Sequence, residues 1–298
     1  MSDSTHTWLI GVDGGGTGCR AAIGTGAHGV LTKSEGGPAN ATSDFSLAIK
    51  NIRAAIAAAA NSGDIDTAWL EHAEVYLGLA GVMSTQDSAR IAAALPYHRV
   101  TVSDDRGTTV TGALDGADGY VLAIGTGTIA ACSRGGAFDY VGGWGFQVAD
   151  QGSGAWLGRA ALEHVLLCHD GLAQSGGLCA DVFAKFDHDP RAISSFASAA
   201  RPGDFAKFAP DVIAAGKGGD PAARTILQEG ADHLEACLTR LGFRAGDRLC
   251  LKGGVGPHYA DYLPPVFLTN RVEPRGSALD GAFRLAGISA AHRAEKTR

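Results

Sequence analysis

The alternation of apolar and polar residues predicts three strands followed by a helix at the start of the chain. Residues 8–12 and 21–23 are apolar runs of strand type, and a third strand begins at Val30 and runs into a loop. Isoleucines and alanines then recur every three or four residues from Ile49 to Ala60. Either Ser43 or Asp44 can cap this helix. The opening order is therefore strand, strand, strand, helix.

Two further strands complete the first half of the chain. Residues 75–81 form a short apolar run that ends in glycine, and residues 84–95 have the periodicity of an amphipathic helix. Residues 100–104 predict the next strand, which ends in the paired carboxylates Asp104 and Asp105. Open α/β sheets bind their ligands at the carboxyl ends of strands, so this pair is a candidate for a functional site.

The opening pattern recurs in the second half of the chain. Residues 120–132 again place a glycine turn between two apolar strands. A mostly helical segment follows, in which residues 153–170 and 220–241 are the clearest helices. Residues 248–256 return to a strand and a glycine turn, and residues 276–287 predict a closing helix.

This duplication predicts an α/β protein whose two domains face one nucleotide. We expect the domains over residues 1–115 and 116–298, with the helical segment as an insertion in the second. The chain has 298 residues, of which 45% are hydrophobic and 19% are charged, which is sufficient for two cores.

The stretch from Asp13 to Thr17 predicts a phosphate-binding turn. Gly14, Gly15 and Gly16 allow positive φ and let backbone N–H groups come close to an anion. Asp13 cannot attract a phosphate itself, so its predicted role is to hold Mg²⁺, directly or through water, between ATP oxygens. The glycines run into a strand and lack a following Gly-Lys-Ser/Thr, which excludes the dinucleotide fingerprint and the Walker loop. The alternative is a glycine-rich hairpin without a ligand.

Asp104 is the candidate catalytic base. A carboxylate at a strand end is well placed to accept the proton of a hydroxyl that attacks a phosphorus atom. The alternative role for an aspartate here is to cap the helix that starts near Gly107. We expect Asp105 or Arg106 to begin that helix, which leaves Asp104 for catalysis.

Three other residues have two interpretations each. Trp144 lies among glycines and is either a core aromatic or a ring that stacks on a sugar. Asp150 either caps the helix that follows or accepts hydrogen bonds from sugar hydroxyls. Asn40 follows Gly-Gly-Pro-Ala, and its amide suits either a turn or a polyol. In addition, the glycine turn after Lys252 suits the flat adenosine part of a nucleotide.

Charge and cysteine content exclude several classes of protein. The net charge of −6 gives no basic surface for nucleic acid. The six cysteines are scattered without a C-x-x-C pair, and none of the ten histidines has the spacing of a metal site. The chain shows neither a leader pattern nor an apolar run long enough for a membrane. We therefore expect a cytoplasmic protein with free thiols.

Eight short motifs occur in order along the chain. They are Asp13-Gly-Gly-Gly-Thr17, Gly37-Pro-Ala-Asn40, Leu79-Ala-Gly81, Ser103-Asp104, Gly125-Thr-Gly127, Gly142-Gly-Trp-Gly145, Asp150-Gln-Gly-Ser-Gly154 and Gly253-Gly-Val255. Together they resemble the N-acetylglucosamine kinase branch of the BadF/BadG/BcrA/BcrD ATPase family, within the actin/hexokinase/Hsp70-like superfamily. The resemblance implies two ribonuclease-H-like domains with ATP and Mg²⁺ in the cleft between them. It also implies phosphoryl transfer to the 6-hydroxyl of an amino sugar.

The resemblance assigns roles to individual residues. The nucleotide would contact Gly14, Gly15, Gly16, Thr17, Gly125, Thr126, Gly127, Gly253 and Gly254, with Thr17 and Thr126 at its phosphates. The sugar would contact Asn40, Gly81, Asp104, Asp105, Trp144, Gly145 and Asp150, with Asp104 as the base. The chain departs from the family pattern at Gln151, where glutamate is usual, and at Asp105, where a small residue is usual. The extra carboxylate favours a free amine over an acetamide, so both glucosamine and N-acetylglucosamine are candidate substrates.

Two other functions are open at this point. One is an ATPase that drives a partner enzyme, as the 2-hydroxyacyl-CoA dehydratase activators of the same family do, although the cysteines here lack the grouping that holds an iron–sulfur cluster. The other is a sugar sensor without catalysis. The expected partner is a small amino sugar, with neither nucleic acid nor membrane, and the resemblance implies a homodimer.

Overall fold

A computed structural model of the chain describes residues 7–296. The chain divides into two compact units. Unit 1 comprises the residues up to Ala117 together with those from Pro274 onwards, and unit 2 comprises Asp118–Glu273. Each unit contains a mixed five-stranded sheet and a separate apolar core, which confirms the predicted α/β class with two domains.

The sheet of unit 1 has a meander on one side and parallel strands on the other. Its strands are β1 (Trp8–Gly14), β2 (Cys19–Thr25), β3 (Gly29–Gly36), β4 (Glu74–Leu79) and β5 (Arg99–Ser103), in the order β3-β2-β1-β4-β5. β1, β2 and β3 are antiparallel, whereas β4 and β5 run parallel to β1. The carboxyl ends of β1, β4 and β5 therefore meet at one edge of the sheet.

Three helices of unit 1 follow strands β3, β4 and β5. They are α1 (Phe45–Ser62), α2 (Thr85–Ala93) and α3 (Asp105–Leu114), and a short 3₁₀ helix covers Thr67–His72. Asp44 caps α1 by accepting a hydrogen bond from the backbone of Leu47 at 2.9 Å. The predicted apolar face of α1 is buried against the sheet, including Ile52 and Ile56.

Unit 2 repeats the sheet topology of unit 1. Its strands are β6 (Gly119–Ile124), β7 (Thr128–Arg134), β8 (Ala137–Gly142), β9 (Leu249–Lys252) and β10 (Arg271–Val272), in the order β10-β9-β6-β7-β8. β6, β7 and β8 form the antiparallel meander, and β9 runs parallel to both β6 and β10. The duplication predicted from the two glycine hairpins is therefore present in the fold.

Seven helices of unit 2 lie between β8 and β10. They are α4 (Gly154–His169), α5 (Gly177–Ala184), α6 (Pro190–Ala199), α7 (Pro202–Phe205), α8 (Ala209–Lys217), α9 (Pro221–Arg240) and α10 (Pro265–Leu268). The two long helices, α4 and α9, lie within the ranges that their periodicity predicts, and they are capped by Ser153 and Asp220. None of the helices within residues 7–296 combines the length and apolar character needed to span a membrane.

The last helix, α11 (Ala278–Lys296), differs from the expected domain division. The expected second domain included all residues from 116 to 298, but α11 belongs to unit 1. It lies so close to β1 that a Cβ on Gly11 would be 2.4 Å from the backbone nitrogen of Phe283. Near its end, Arg293 forms a two-point ion pair with the fully buried Glu74 of β4, at 2.9 and 3.2 Å. The helix joins unit 1 because its buried side packs on that sheet.

Candidate functional site

The turn between β1 and β2 is surrounded by two neighbouring loops. The backbone N–H groups of Ala39 and Ala80 donate to the carbonyl oxygens of Gly15 and Gly14, both at 2.8 Å. A Cβ on Gly14 would lie 2.8 Å from the side chain of Leu79, whereas a Cβ on Gly15 would have no atom within 4 Å. Gly14 is thus required for close packing, and the tip of the turn is open to a ligand.

The glycines of this turn act through their small size rather than through unusual dihedral angles. We expected positive φ at Gly14, Gly15 and Gly16, but none of these three described residues has it. Gly16, like Gly15, has no atom within 4 Å of the position of a Cβ. The turn therefore leaves room for an anion to approach the backbone N–H groups without strain in the backbone.

A cavity of about 410 Å³ opens beside the turn. Its lining residues are Asp13, Gly14, Gly15, Thr17, Gly18, Cys19, Arg20, Glu35, Gly36 and Asp105. The fold thus brings together five of the residues that the sequence singles out, which are Asp13, Gly14, Gly15, Thr17 and Asp105. Asp104 is not among the lining residues, although its neighbour Asp105 is.

The carboxylates of Asp13, Glu35 and Asp105 and the guanidinium of Arg20 determine the charge of this cavity. Asp13 forms an ion pair with Arg20, which lies directly opposite it in the antiparallel register of β1 and β2. Burial raises the pKa of the Asp105 carboxyl, and the charges of Asp104 and Asp13 raise it further. Our sequence reasoning missed Arg20. The register of the predicted hairpin indicated this pair, because Asp13 and Arg20 are equally far from the centre of its turn.

Asp104 caps α3, contrary to the expectation that Asp105 or Arg106 would do so. Its Oδ1 accepts the backbone N–H of Arg106 at 2.9 Å. The guanidinium of Arg106 also donates to both oxygens, from Nε to Oδ1 at 3.0 Å and from Nη2 to Oδ2 at 2.7 Å. Burial raises the pKa of Asp104, but the hydrogen bonds and charge of Arg106 outweigh it, so that the pKa lies below its usual value.

Asn40 and Gly81 lie side by side in unit 1. The Oδ1 of Asn40 accepts the backbone N–H groups of Thr42 at 3.0 Å and Ser43 at 3.1 Å, which is the turn interpretation of this residue. Gly81 has a φ of +86°, and a Cβ there would be 2.5 Å from the Oδ1 of Asn40. The Nδ2 group of Asn40 has no hydrogen-bond partner within residues 7–296 and is available to a ligand.

The glycine turns of unit 2 converge on the carboxyl end of β6. Gly154 and Ala155, at the start of α4, donate backbone hydrogen bonds to the carbonyl oxygens of Gly125 at 2.7 Å and Thr126 at 3.2 Å. The turn after β9 packs tightly here, because Gly253 has a φ of +90° and its Cβ would lie 2.2 Å from the Ile124 carbonyl oxygen. Gly254 has open space where a Cβ would be. The predicted nucleotide-binding residues of this unit therefore adjoin one another.

Asp150 lies beside this group of turns with an unsatisfied carboxylate. A Cβ on Gly127 would be 2.9 Å from its Oδ2, and the residue is only 8% exposed. Its Oδ1 and the hydroxyl of Thr128 are both buried without a hydrogen-bond partner among the described residues. Burial raises the pKa of Asp150, while the backbone N–H groups of Gly145 and Thr128 lower it by a smaller amount.

The structure excludes one of the two interpretations of Asp150 and one of those of Trp144. Ser153 caps α4 by accepting the backbone N–H of Trp156 at 3.1 Å, so Asp150 is not the cap. Trp144 is 74% exposed in the loop after β8 and is not a core residue. The buried Tyr259, which the sequence did not indicate, donates its hydroxyl to the Gly152 carbonyl at 2.7 Å and holds the loop that carries Asp150.

Comparison with known proteins finds relatives along most of the chain. The model of the BadF/BadG/BcrA/BcrD ATPase family matches residues 10–262. The chain is 32% identical over 281 residues to glucosamine kinase GspK of Vibrio cholerae, with 94% of this chain and 96% of that protein covered. It is 26% identical over 235 residues to the N-acetylmuramic acid/N-acetylglucosamine kinase of Clostridium acetobutylicum, with 76% of each protein covered.

A solved structure extends this similarity to the whole fold. The crystal structure of a proposed N-acetylglucosamine kinase from Chromobacterium violaceum superposes with a TM-score of 0.81 at 30% sequence identity. The superposition covers 94% of this chain and 99% of that one. Sequence and structure therefore point to the same group of proteins.

Proposed function

The chain belongs to the BadF/BadG/BcrA/BcrD ATPase family, and on this premise we propose that it transfers the terminal phosphoryl group of ATP to the 6-hydroxyl of an amino sugar. The alignment with glucosamine kinase along 94% of the chain supports this activity most strongly. The second relative acts on N-acetylated sugars by its name, so glucosamine and N-acetylglucosamine are both candidate substrates.

The cavity beside the first glycine turn is assigned to the phosphates of ATP. The open backbone at Gly15 and Gly16 can donate N–H groups to phosphate oxygens, and Thr17 adds a hydroxyl at the cavity wall. Asp13 fits Mg²⁺, because a carboxylate oxygen is a ligand that this cation prefers and Arg20 contacts only Oδ2. When bound, Mg²⁺ neutralises charge on the phosphate oxygens.

In unit 2, the residues assigned to the nucleotide surround the end of β6. They are Gly125, Thr126, Gly127, Gly253 and Gly254. The turn from Gly125 to Gly127 has its own backbone hydrogen bond between the N–H of Gly125 and the carbonyl of Gly127, at 2.9 Å. Such a fixed turn presents its remaining N–H groups without a further cost in entropy, which suits phosphate binding.

Three of the residues assigned to the sugar have an unused polar or aromatic group. Asp150 has a buried oxygen without a partner, which a sugar hydroxyl would satisfy. Asn40 has a free amide nitrogen, and the exposed ring of Trp144 can stack on the face of a sugar. Gly81 and Gly145 allow the backbone to approach the sugar, and Asp105 supplies the extra carboxylate that favours an amine.

Asp104 is assigned as the general base. Arg106 donates three hydrogen bonds to the carboxylate, and the side chain of Asp104 is still 27% exposed, so the group is accessible to the attacking hydroxyl. Because its pKa is low, the carboxylate is ionised at neutral pH and ready to accept that proton. Phosphoryl transfer depends mainly on positioning and charge stabilisation, so a weakly basic but well-oriented carboxylate is adequate.

A coupled assay of ADP release tests this function. We expect turnover with glucosamine or N-acetylglucosamine and little with glucose or without sugar. Asp104→Asn should lower kcat by about 10²-fold while binding of ATP is retained. Turnover without sugar would instead indicate an ATPase that acts on a partner enzyme, and binding of sugar without turnover would indicate a sensor.

The compartment and the oligomeric state are part of the same proposal. All six cysteines are free, which fits the reducing environment of the cytoplasm. A homodimer is inferred from the family resemblance. Sedimentation velocity measures this directly, and sedimentation at the mass of one chain would contradict it.

A further inference from the structure

We propose that Arg106 is a positioning residue for phosphoryl transfer, which holds the plane of the Asp104 carboxylate by a two-point ion pair so that the carboxylate is oriented to accept the proton of the acceptor hydroxyl. This inference rests on the proposed function, because Arg106 has such a task only if Asp104 is the general base.

The geometry of the ion pair fixes the plane of the carboxylate. The Nε and Nη2 atoms of Arg106 lie 3.0 and 2.7 Å from Oδ1 and Oδ2 of Asp104. A guanidinium that contacts both oxygens restricts rotation about the bond to the carboxyl group, which a single donor does not. The side chains of Arg106 and Asp104 are 39% and 27% exposed, so the pair is partly shielded from water.

The same contacts orient both oxygens of Asp104. Arg106 donates to Oδ1 through its backbone N–H and its Nε, and to Oδ2 through Nη2. The backbone N–H of Gly107 also hydrogen-bonds to the carboxylate. Arg106 therefore supplies most of the contacts that orient this group, and it is the side chain that contacts both oxygens.

Among the described charged groups that act on Asp104, the positive charge is that of Arg106. Asp105, the first residue of α3, carries no positive charge. On β4, the hydroxyl of Tyr76 faces Asp104 and forms a hydrogen bond with Ser103. On β1, Asp13 faces Asp105. The hydrogen bonds and charge of the guanidinium lower the pKa of Asp104 against the effect of burial, so the loss of the guanidinium would raise this pKa.

Two substitutions separate the charge of Arg106 from its geometry. Arg106→Gln removes the charge, and Arg106→Lys keeps it but cannot contact both oxygens in one plane. Both variants retain the backbone N–H that caps α3, so the helix keeps its start. Arg284→Gln is the matched control, because Arg284 pairs with Asp115 at the other end of α3, away from Asp104.

The readouts are the pH dependence of kcat/KM and the values of kcat and KM for the sugar. In Arg106→Gln we expect the acid limb of kcat/KM to move upward by about one pH unit and the plateau kcat to fall by about 10-fold. In Arg106→Lys the plateau kcat should fall similarly while the acid limb stays in place. Neither variant should change KM by more than about twofold, and Arg284→Gln should match the wild type.

Two further measurements, an NMR titration and the turnover of Asp104→Asn, distinguish the possible outcomes. The ¹³C NMR titration of the Asp104 carboxyl should show a raised pKa in Arg106→Gln, independently of turnover. An unchanged titration, or a variant that loses thermal stability without a shift of the acid limb, would overturn the role of Arg106. Asp104→Asn is measured in parallel: normal turnover there contradicts the base itself, whereas an inactive Asp104→Asn beside an unaffected Arg106→Gln contradicts only the positioning.

Discussion

Asp150 is a residue at which stability and function oppose each other. Its carboxylate is only 8% exposed, one oxygen has no partner among the described residues, and its backbone has a φ of +64°. A buried and incompletely satisfied carboxylate destabilises a fold, and so does a left-handed backbone at a residue with a side chain. Contact with a sugar hydroxyl explains why such a residue occurs beside the glycine turn of unit 2.

We expect Asp150→Asn to raise stability and abolish sugar phosphorylation. Burial raises the pKa of Asp150, so the folded state favours the protonated form. The carboxyl group of Asp150 therefore makes its full contribution to the free energy of unfolding below the unfolded pKa of about 3.9. This contribution is lost as pH rises through the folded pKa. Thermal denaturation should show the variant about 1 kcal/mol more stable than the wild type at pH 7, with the difference vanishing near pH 3.

Asp220→Asn provides the matched control for this residue. Asp220 caps α9 and accepts backbone hydrogen bonds from Ala223 at 3.0 Å and Leu178 at 3.1 Å, so its carboxylate is satisfied. Because the amide of asparagine has only one acceptor oxygen, one of these N–H groups would lose its partner, so the same change should lower stability here by about 1 kcal/mol and leave turnover intact. A loss of stability in Asp150→Asn comparable to that of Asp220→Asn would mean that Asp150 has a structural role.

At the scale of elements, α3 is fixed by a close crossing with α11. A Cβ on Gly281 would lie 1.9 Å from the Thr108 carbonyl oxygen, and one on Gly112 would lie 1.8 Å from that of Ser277. Each contact requires that the two backbones touch without an intervening side chain. Because α3 starts at Asp105, directly after the candidate base, this crossing also determines where the two carboxylates lie.

Gly281→Ala should therefore destabilise unit 1 by about 3 kcal/mol, since the added methyl group must push the helices apart. Gly287→Ala in the same helix is the control. A Cβ there meets only Leu9, at an ordinary 3.5 Å, so the higher helix propensity of alanine should leave stability unchanged or raise it by about 1 kcal/mol. Urea denaturation compares the two, and equal effects would show that the crossing has room for a side chain.

The elements that the sequence predicted well are those with local signals. Both glycine hairpins, the capped helices and the apolar periods of α1 and α9 follow from residues close together in the chain. The partner of α11 could not be predicted, because periodicity shows that a helix has a buried face but not which sheet covers it. The cap of α3 was missed for a similar reason: either Asp104 or Asp105 can cap, and tertiary packing decides between them.

The predicted site residues also divide into those that follow from local sequence and those that depend on the tertiary fold. Asp13, Gly14, Gly15 and Thr17 line one cavity because they belong to a single hairpin, which makes them neighbours in any correct register. Asp105 joins them only because β5 runs parallel to β4 and β1. Arg20 and Arg106 were overlooked as partners of Asp13 and Asp104. The hairpin register indicated Arg20, whereas an ion pair at the start of a helix has no sequence motif.

At the scale of the whole molecule, the chain leaves unit 1 at Ala117 and returns to it at Pro274. We therefore expect a chain that ends at Glu273 to lose the cooperative structure of unit 1 and keep that of unit 2. The buried Glu74 would lose its ion pair with Arg293, and α11 would no longer pack against the backbone of Gly11. Hydrogen exchange should show fast exchange over residues 8–115 and protection over residues 119–272.

A chain that ends at Lys296 serves as the control, because it retains all of α11. It should exchange like the full chain. Protection of both units in the chain that ends at Glu273 would show that α11 is dispensable for the fold of unit 1.

The return of α11 to the first sheet also sets an order for folding during synthesis. The ribosome releases every residue of unit 2 before it releases α11, so the middle of the protein is the first part that can fold completely. The nascent amino-terminal segment must wait with the part of its sheet that α11 covers exposed until α11 has been translated. Chaperones that recognise apolar strands are therefore expected to act on this early segment, and the time needed to translate the helical insertion sets how long it is exposed.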